Sequence, residues 1–156
     1  MPAGDELRSL MRLFPSGVCV VGADAHGDRI AVTIGSLVSL SLEPALVGVS
    51  IGHDAQAHEL LREAGGFAVS VLAGDQAAVA QHFARSVPPI AQWEGIAVRD
   101  GERGPLLEGA VSWLECSLHS EHDAGDHTFF VGAVERIELG RDSPGLVYRH
   151  GRYVPA

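Results

Sequence analysis

The strongest constraint on the fold is the spacing of the apolar runs. Val18-Cys19-Val20-Val21, Ile30 to Thr33, Leu37 to Leu42, Leu46 to Ile51 and Phe67 to Leu72 are each four to six residues long, and turn chemistry such as Gly27-Asp28 separates them. This is the spacing of a β-meander or barrel rather than of βαβ units. Short helices interrupt it. Leu7, Leu10, Met11 and Phe14 recur at helical spacing behind Asp5 and stop at Pro15 and Gly17, which predicts a helix over about 5–13 lying across the barrel. A second is predicted from Asp54 to Gly65, with Ala57, Leu60, Leu61 and Ala64 inward, and a third opens at Asp75 with Val79 and Phe83 one turn apart. From Ala84 to Pro105 the pattern dissolves around Pro88-Pro89 and an isolated Trp93, which reads as a long surface loop.

The C-terminal third returns to strands. Ala110, Leu114, Cys116 and Leu118 form one apolar face, and Val111, Trp113, Glu115 and Ser117 a mixed one. Thr128 to Leu139 is longer and apolar on both faces at its start. A strand apolar on both sides needs two covers, and in a chain this short a second subunit is the economical one, so a homodimer is expected. At 156 residues and 46% apolar, the chain can bury a core as one domain spanning 1–156.

Charge and cysteine usage exclude several function classes. The net charge is −9 and all eleven basic residues are arginine, so a nucleic-acid surface is disfavoured and every mechanism that needs a lysine is excluded. No apolar stretch approaches the roughly 20 residues of a membrane-spanning helix, and the acidic start carries no secretory pattern, so a cytoplasmic protein without a membrane partner is expected. Cys19 and Cys116 lie in separate apolar stretches and read as buried small hydrophobes rather than a disulfide or metal ligands.

Few motifs carry chemistry by themselves. Gly48-Val49-Ser50-Ile51-Gly52 matches the nucleophile-elbow pattern, but helix-start chemistry waits until Asp54, too late for an elbow. His119, His122 and His127 match no zinc spacing, so no metal is expected, and His119 and His122 fit a turn between strands. No G-x-G-x-x-G occurs, which excludes a Rossmann site. The segment Thr33-Ile34-Gly35-Ser36-Leu37-Val38-Ser39-Leu40-Ser41-Leu42-Glu43-Pro44 is rich in hydroxyls, and alternation points Ser39 and Ser41 to one face. It suits the polar edge of a flat aromatic ligand, and equally a half-solvated strand. Gly125-Asp126-His127 places an imidazole at a strand tip, facing ligand or water; the parity His127 shares with Phe129 also allows a packed barrel-end residue.

Taken in order, Phe14-Pro15-Ser16-Gly17-Val18, Thr33 to Pro44, Gly66 to Leu72, Pro105 to Ala110, Gly125-Asp126-His127 and Leu146-Val147-Tyr148-Arg149 resemble the flavin reductase family with the FMN-binding split-barrel fold, over about residues 6–154. The resemblance implies a mainly β, dimeric split barrel that reduces FMN or FAD with NADH or NADPH and supplies reduced flavin to a partner monooxygenase. It places Thr33, Ile34, Gly35 and Ser36 along the isoalloxazine, with Ser39 and Ser41 further along the same groove. His127, Tyr148 and Arg149 match nicotinamide positions, His127 as the catalytic one. Where relatives carry a Ser-Arg-Thr-like group for flavin phosphate, this chain has Ala55-Gln56-Ala57, so Gln56 and Ala57 take that place without hydroxyl or cation. The alternative is a non-catalytic split-barrel module that binds flavin or another planar cofactor.

Overall fold

The computed structural model describes residues 1–156. In chain order the elements are α1 (Gly4–Met11), β1 (Ser16–Gly17), β2 (Cys19–Ala25), β3 (Asp28–Ile34), β4 (Val38–Leu42), β5 (Ala45–Gly52), α2 (Gln56–Ala64), β6 (Gly66–Val71), α3 (Ala77–Ala84), α4 (Pro89–Gln92), β7 (Val98–Asp100), β8 (Pro105–Leu107), β9 (Ser112–Ala124), β10 (His127–Leu139), β11 (Leu146–Arg149) and β12 (Arg152–Pro155). Seven strands form one antiparallel sheet in the order β3-β2-β6-β9-β10-β5-β4, flanked by a β1-β11-β12 sheet and a β7-β8 pair. The sheet curls until β3 approaches β5, and Gly35 to Leu37 carry the chain across the gap. The molecule is thus mainly β with short helices, a barrel split along the β3–β5 seam.

Local chemistry explains the boundaries. The β2–β3 hairpin turns on His26 and Gly27, both at positive φ (53° and 81°), the conformation that matches strand twist. The second helix starts after Ala55 rather than at Asp54, whose side chain makes no cap, and stops at Gly65 in the left-handed conformation. The third starts at Ala77 rather than Asp75 because Asp75 pairs with Arg141. Gln76 takes the cap position instead, its side chain accepting the Ala73 amide at 2.9 Å and donating to the Glu108 carbonyl at 3.0 Å.

Both faces of β2 are buried, which is why its sequence is apolar without alternation. Cys19, Val21 and Ala23 face the barrel interior with Val49, Leu61, Phe67, Val69 and Phe130, plugged by α2. Val18 and Val20 face outward under Phe83, Leu107 and Leu146. That outer layer corrects the surface-loop reading of Ala84 to Pro105, which contains α4 and β7. The Gln92 side chain pairs with both the amide and the carbonyl of Ala31, at 3.0 and 2.9 Å, closing the outer edge of β3. The Trp93 indole donates to the Arg29 carbonyl at 2.7 Å, and its ring packs on Phe83.

Three further expectations are corrected. No residue of α1 is buried, so it does not lie across the barrel; Leu7, Leu10, Met11, Leu13 and Phe14 stay exposed. His119 and His122 sit within β9, and the turn falls at Gly125-Asp126. The start of β10 finds both covers within one chain: Thr128, Phe130 and Val131 are buried. Missing side chains make this possible, since a Cβ at Gly48 would lie 2.1 Å from Phe129 and one at Gly132 2.6 Å from Phe67. The aromatic rings fill the space the glycines leave.

Candidate active site

A cavity of about 400 Å³ opens in the seam, walled by Val32 to Ser36, Ser50 to Gly52, Asp54, Ala55 and His127. Two smaller cavities share its walls. One, of about 160 Å³, adds Ser16, Tyr148 and Tyr153 beside Thr33, Ile34 and Gly35. The other, of about 170 Å³, adds Gln56, Ala57, Arg85 and Ser86 beside Val32, Asp54 and Ala55. Together they make one groove along the β3 edge, with Thr33 to Gly35 near its middle.

The groove fits a flat ring with a polar edge through backbone rather than hydroxyl chemistry. The Gly35 and Ser36 amides donate to no protein acceptor, leaving two adjacent donors on the cavity wall. The hydroxyls beside them are already engaged: Thr33 donates to the Ala80 carbonyl at 2.7 Å, and Ser36 donates to the Ser50 carbonyl at 3.1 Å while accepting its amide at 3.0 Å. Small residues keep the wall open. A Cβ at Gly35 would lie 2.6 Å from the Ser16 hydroxyl, and one at Gly52 would lie 2.9 Å from Asp54 and 3.8 Å from the His127 ring.

Of the residues singled out from sequence, Thr33, Ile34, Gly35, Ser36 and His127 converge on the central cavity, Tyr148 on one end, and Gln56 and Ala57 on the other. Ser39, Ser41 and Arg149 line none of these three cavities. A bulge between Ser39 and Ser41 in the β4–β5 ladder breaks the alternation that put them on one face. Arg149 points off the β11–β12 hairpin, where it is exposed. Tyr148 packs against Tyr153 with ring centroids 5.0 Å apart and the ring planes tilted by 50°.

His127 is exposed at the cavity rim, which excludes the packed barrel-end alternative. Its Nδ1 lies 2.7 Å from the Asp126 carboxylate, and that contact holds the Asp126 carboxyl below its ordinary range. Sequence reasoning missed the support beneath it. The Thr128 hydroxyl, buried behind His127, lies 2.7 Å from Nε2 of buried His58 and 3.1 Å from Nε2 of His53. The Glu59 carboxylate is 3.0 Å from Nδ1 of His58. The signal was present, because His58 falls three residues before Leu61 on the apolar stripe of α2. Arg85 and Ser86 were missed because nothing local links them to Gln56. Cys19 and Cys116 are free and buried, and burial pushes both thiols up to about 12.

Comparison with known proteins gives the geometry a family. The profile described as "Flavin reductase like domain" matches residues 11–156. The reductase component of 4-hydroxyphenylacetate 3-monooxygenase from Thermus thermophilus is 38% identical over 144 residues, spanning 92% of this chain and 91% of that protein. The Streptomyces globisporus NADH:FAD oxidoreductase, solved with NAD and FAD fragments, superposes with a TM-score of 0.91 at 35% identity, covering 97% of this chain and 92% of that one. The flavin reductase component of a bacterial two-component tryptophan halogenase superposes with a TM-score of 0.91 at 37% identity, each chain covered to 99%. The chain belongs to the flavin reductase-like domain family.

Proposed function

We propose that the chain is an NAD(P)H-dependent flavin reductase that moves hydride from nicotinamide to FMN or FAD and releases reduced flavin to a partner monooxygenase. The observation that carries this is the seam groove, in which the unpartnered Gly35 and Ser36 amides share one cavity with the exposed imidazole of His127. Hydride acceptance is the chemistry that the flavin ring supplies when bound. The chain's own part is placement. The Gly35 and Ser36 amides hold the polar ring edge, Gly52 leaves room for a second ring, and His127 orients the donor at the open side. Relatives that are NADH-dependent FAD and FMN reductases support the reading.

Mixing the protein with NADH or NADPH and either flavin, and following the nicotinamide absorbance, tests it. Turnover above the protein-free rate is expected with at least one pair. Flavin binding without turnover would instead make the chain a non-catalytic carrier.

Exposed apolar side chains on α1 (Leu7, Leu10, Met11) and β4 (Val38, Leu40, Leu42) support a homodimer, since a lone soluble subunit rarely leaves so many uncovered. The dimer seam thus moves from the start of β10 to α1 and β4. Light scattering should give twice the chain mass at micromolar concentration; a monomer mass would remove the dimer. No helix is long and apolar enough to cross a membrane, and two free thiols accord with a reducing, cytoplasmic setting.

A further inference from the structure

His127 stands where its strand support ends. Its partner across the ladder is Gly52, the last residue of β5, and the Gly125-Asp126 turn before it runs past that strand's end. The contact to Asp126 is a weak brace by itself, because the Asp126 side chain is 96% exposed and that of His127 47%. His53, which follows Gly52, grips both neighbours of His127. Its backbone amide donates to the Asp126 carbonyl at 2.9 Å, and its Nε2 lies 3.1 Å from the Thr128 hydroxyl. Gly52 and Asp54 on either side of His53 line the central cavity, whereas His53 lines none of the three. Its ring therefore faces Thr128 rather than the groove. There it meets the His58 ring edge-on, with centroids 5.1 Å apart, and buried His58 shares the same hydroxyl at 2.7 Å.

We propose that His53 is a positioning residue for His127: its side chain, through the Thr128 hydroxyl, holds the His127 imidazole in the pose that receives the nicotinamide nucleotide. This rests on the flavin reductase reading above, in which His127 orients the hydride donor. The backbone bond to Asp126 survives any substitution at position 53 except proline, so the share of the side chain is its link to Thr128. Without that link the start of β10 samples poses in which His127 is displaced, and only the fraction in the productive pose binds nucleotide well. Apparent affinity falls by that fraction while the saturated complex is unchanged, so KM for nucleotide rises and kcat holds. The flavin edge, placed on the Gly35 and Ser36 amides, lies outside this link.

The test compares wild type, His53→Ala, His53→Gln, His127→Ala and the His53→Ala/His127→Ala double variant. It reads kcat and KM for whichever of NADH and NADPH the wild type uses faster, the FMN Kd by fluorescence, the melting temperature, and amide hydrogen exchange of the flavin-free protein. His53→Ala should raise the nucleotide KM about three- to tenfold, with kcat and the FMN Kd within about twofold. Because His53 is exposed, melting should fall by less than about 3 °C, while exchange over residues 124–130 quickens. Glutamine carries a nitrogen near the place of the imidazole Nε2, so His53→Gln should recover most of the KM. With His127 already gone, His53→Ala should add less than about twofold. An unchanged KM, a matching rise in the FMN Kd, no recovery in His53→Gln, a full second loss in the double variant, or unchanged exchange would each overturn the role. A wild type that reduces neither flavin would remove the reductase reading itself, whereas wild-type turnover matched by His53→Ala at every nucleotide concentration removes only the role of His53.

Discussion

Replacing Thr128 by Val should destabilise the protein more than replacing it by Ser, although Val keeps the shape and Ser does not. Thr128 and His58 are 1% and 4% exposed. The Glu59 carboxylate only accepts, so it takes the Nδ1 proton of His58, and the Thr128 hydroxyl is the protein partner of the buried His58 Nε2, at 2.7 Å, and also of His53, at 3.1 Å. Thr128→Val strands the buried Nε2 of His58, at about 1–3 kcal/mol for an unsatisfied buried group. At about 2–4 °C per kcal/mol for a chain of this size, the melting temperature falls by roughly 2–12 °C. Thr128→Ser keeps the hydroxyl and loses one methyl, about 0.8 kcal/mol. Circular dichroism melts of both variants, together with His58→Leu and the His58→Leu/Thr128→Val double variant, complete the cycle. With both polar partners gone the double variant should lose less than the sum of the singles, by about 1 kcal/mol or more. A Thr128→Val protein as stable as wild type, or strictly additive losses, would refute the hydroxyl-centred network.

His127→Ala should raise the KM for NADH or NADPH while the Kd for flavin stays within about twofold, as follows from the proposed placing of the flavin edge on the Gly35 and Ser36 amides; steady-state kinetics beside a flavin titration reads this out. Gly132→Ala drives a Cβ to 2.6 Å from the Phe67 ring and 2.8 Å from Cys116, and should cost about 1–3 kcal/mol in denaturant unfolding. With both thiols pushed up to about 12, neither Cys19 nor Cys116 should react with a maleimide at neutral pH until denaturant is added, as mass spectrometry would show. Asp75 and Asp126 are held below the usual carboxylate range by Arg141 and His127. Their contributions are therefore present above the ordinary carboxylate pKa and lost as pH falls through the lowered values, so acid unfolding should begin at higher pH in Asp75→Asn than in wild type.

The strands were legible wherever one short run met one turn. Val18 to Val21, Leu46 to Ile51 and Phe67 to Leu72 all lie in or beside strands because continuous apolar sequence in so short a piece can be buried only between two layers. What local pattern could not carry was contact between distant residues. Gln92 closes the edge of β3 through Ala31, and nothing near Gln92 in sequence announces a partner sixty-one positions away. The covers of β10 were invisible for the same reason: Phe129 over Gly48 and Phe67 over Gly132 are cross-strand fits, so the strand looked as if it needed a second subunit. In the site, Thr33 to Ser36 and His127 were readable from motif order, although their hydroxyls tie the scaffold together instead of facing the groove. Ser39 and Ser41 were misplaced by a single bulge that period-2 reasoning cannot foresee, and Arg85, which shares a cavity wall with Gln56, was missed because the two are far apart along the chain.

The most direct test of the central claim is an anaerobic stopped-flow record of NADH and flavin absorbance mixed with the protein. Direct transfer in the seam groove predicts one flavin bleached for each NADH consumed, at a rate that saturates with NADH and falls sharply in Gly35→Val, whose side chain fills the wall beside the Ser16 hydroxyl. Bleaching no faster than in the protein-free mixture, or unchanged in Gly35→Val, would contradict it.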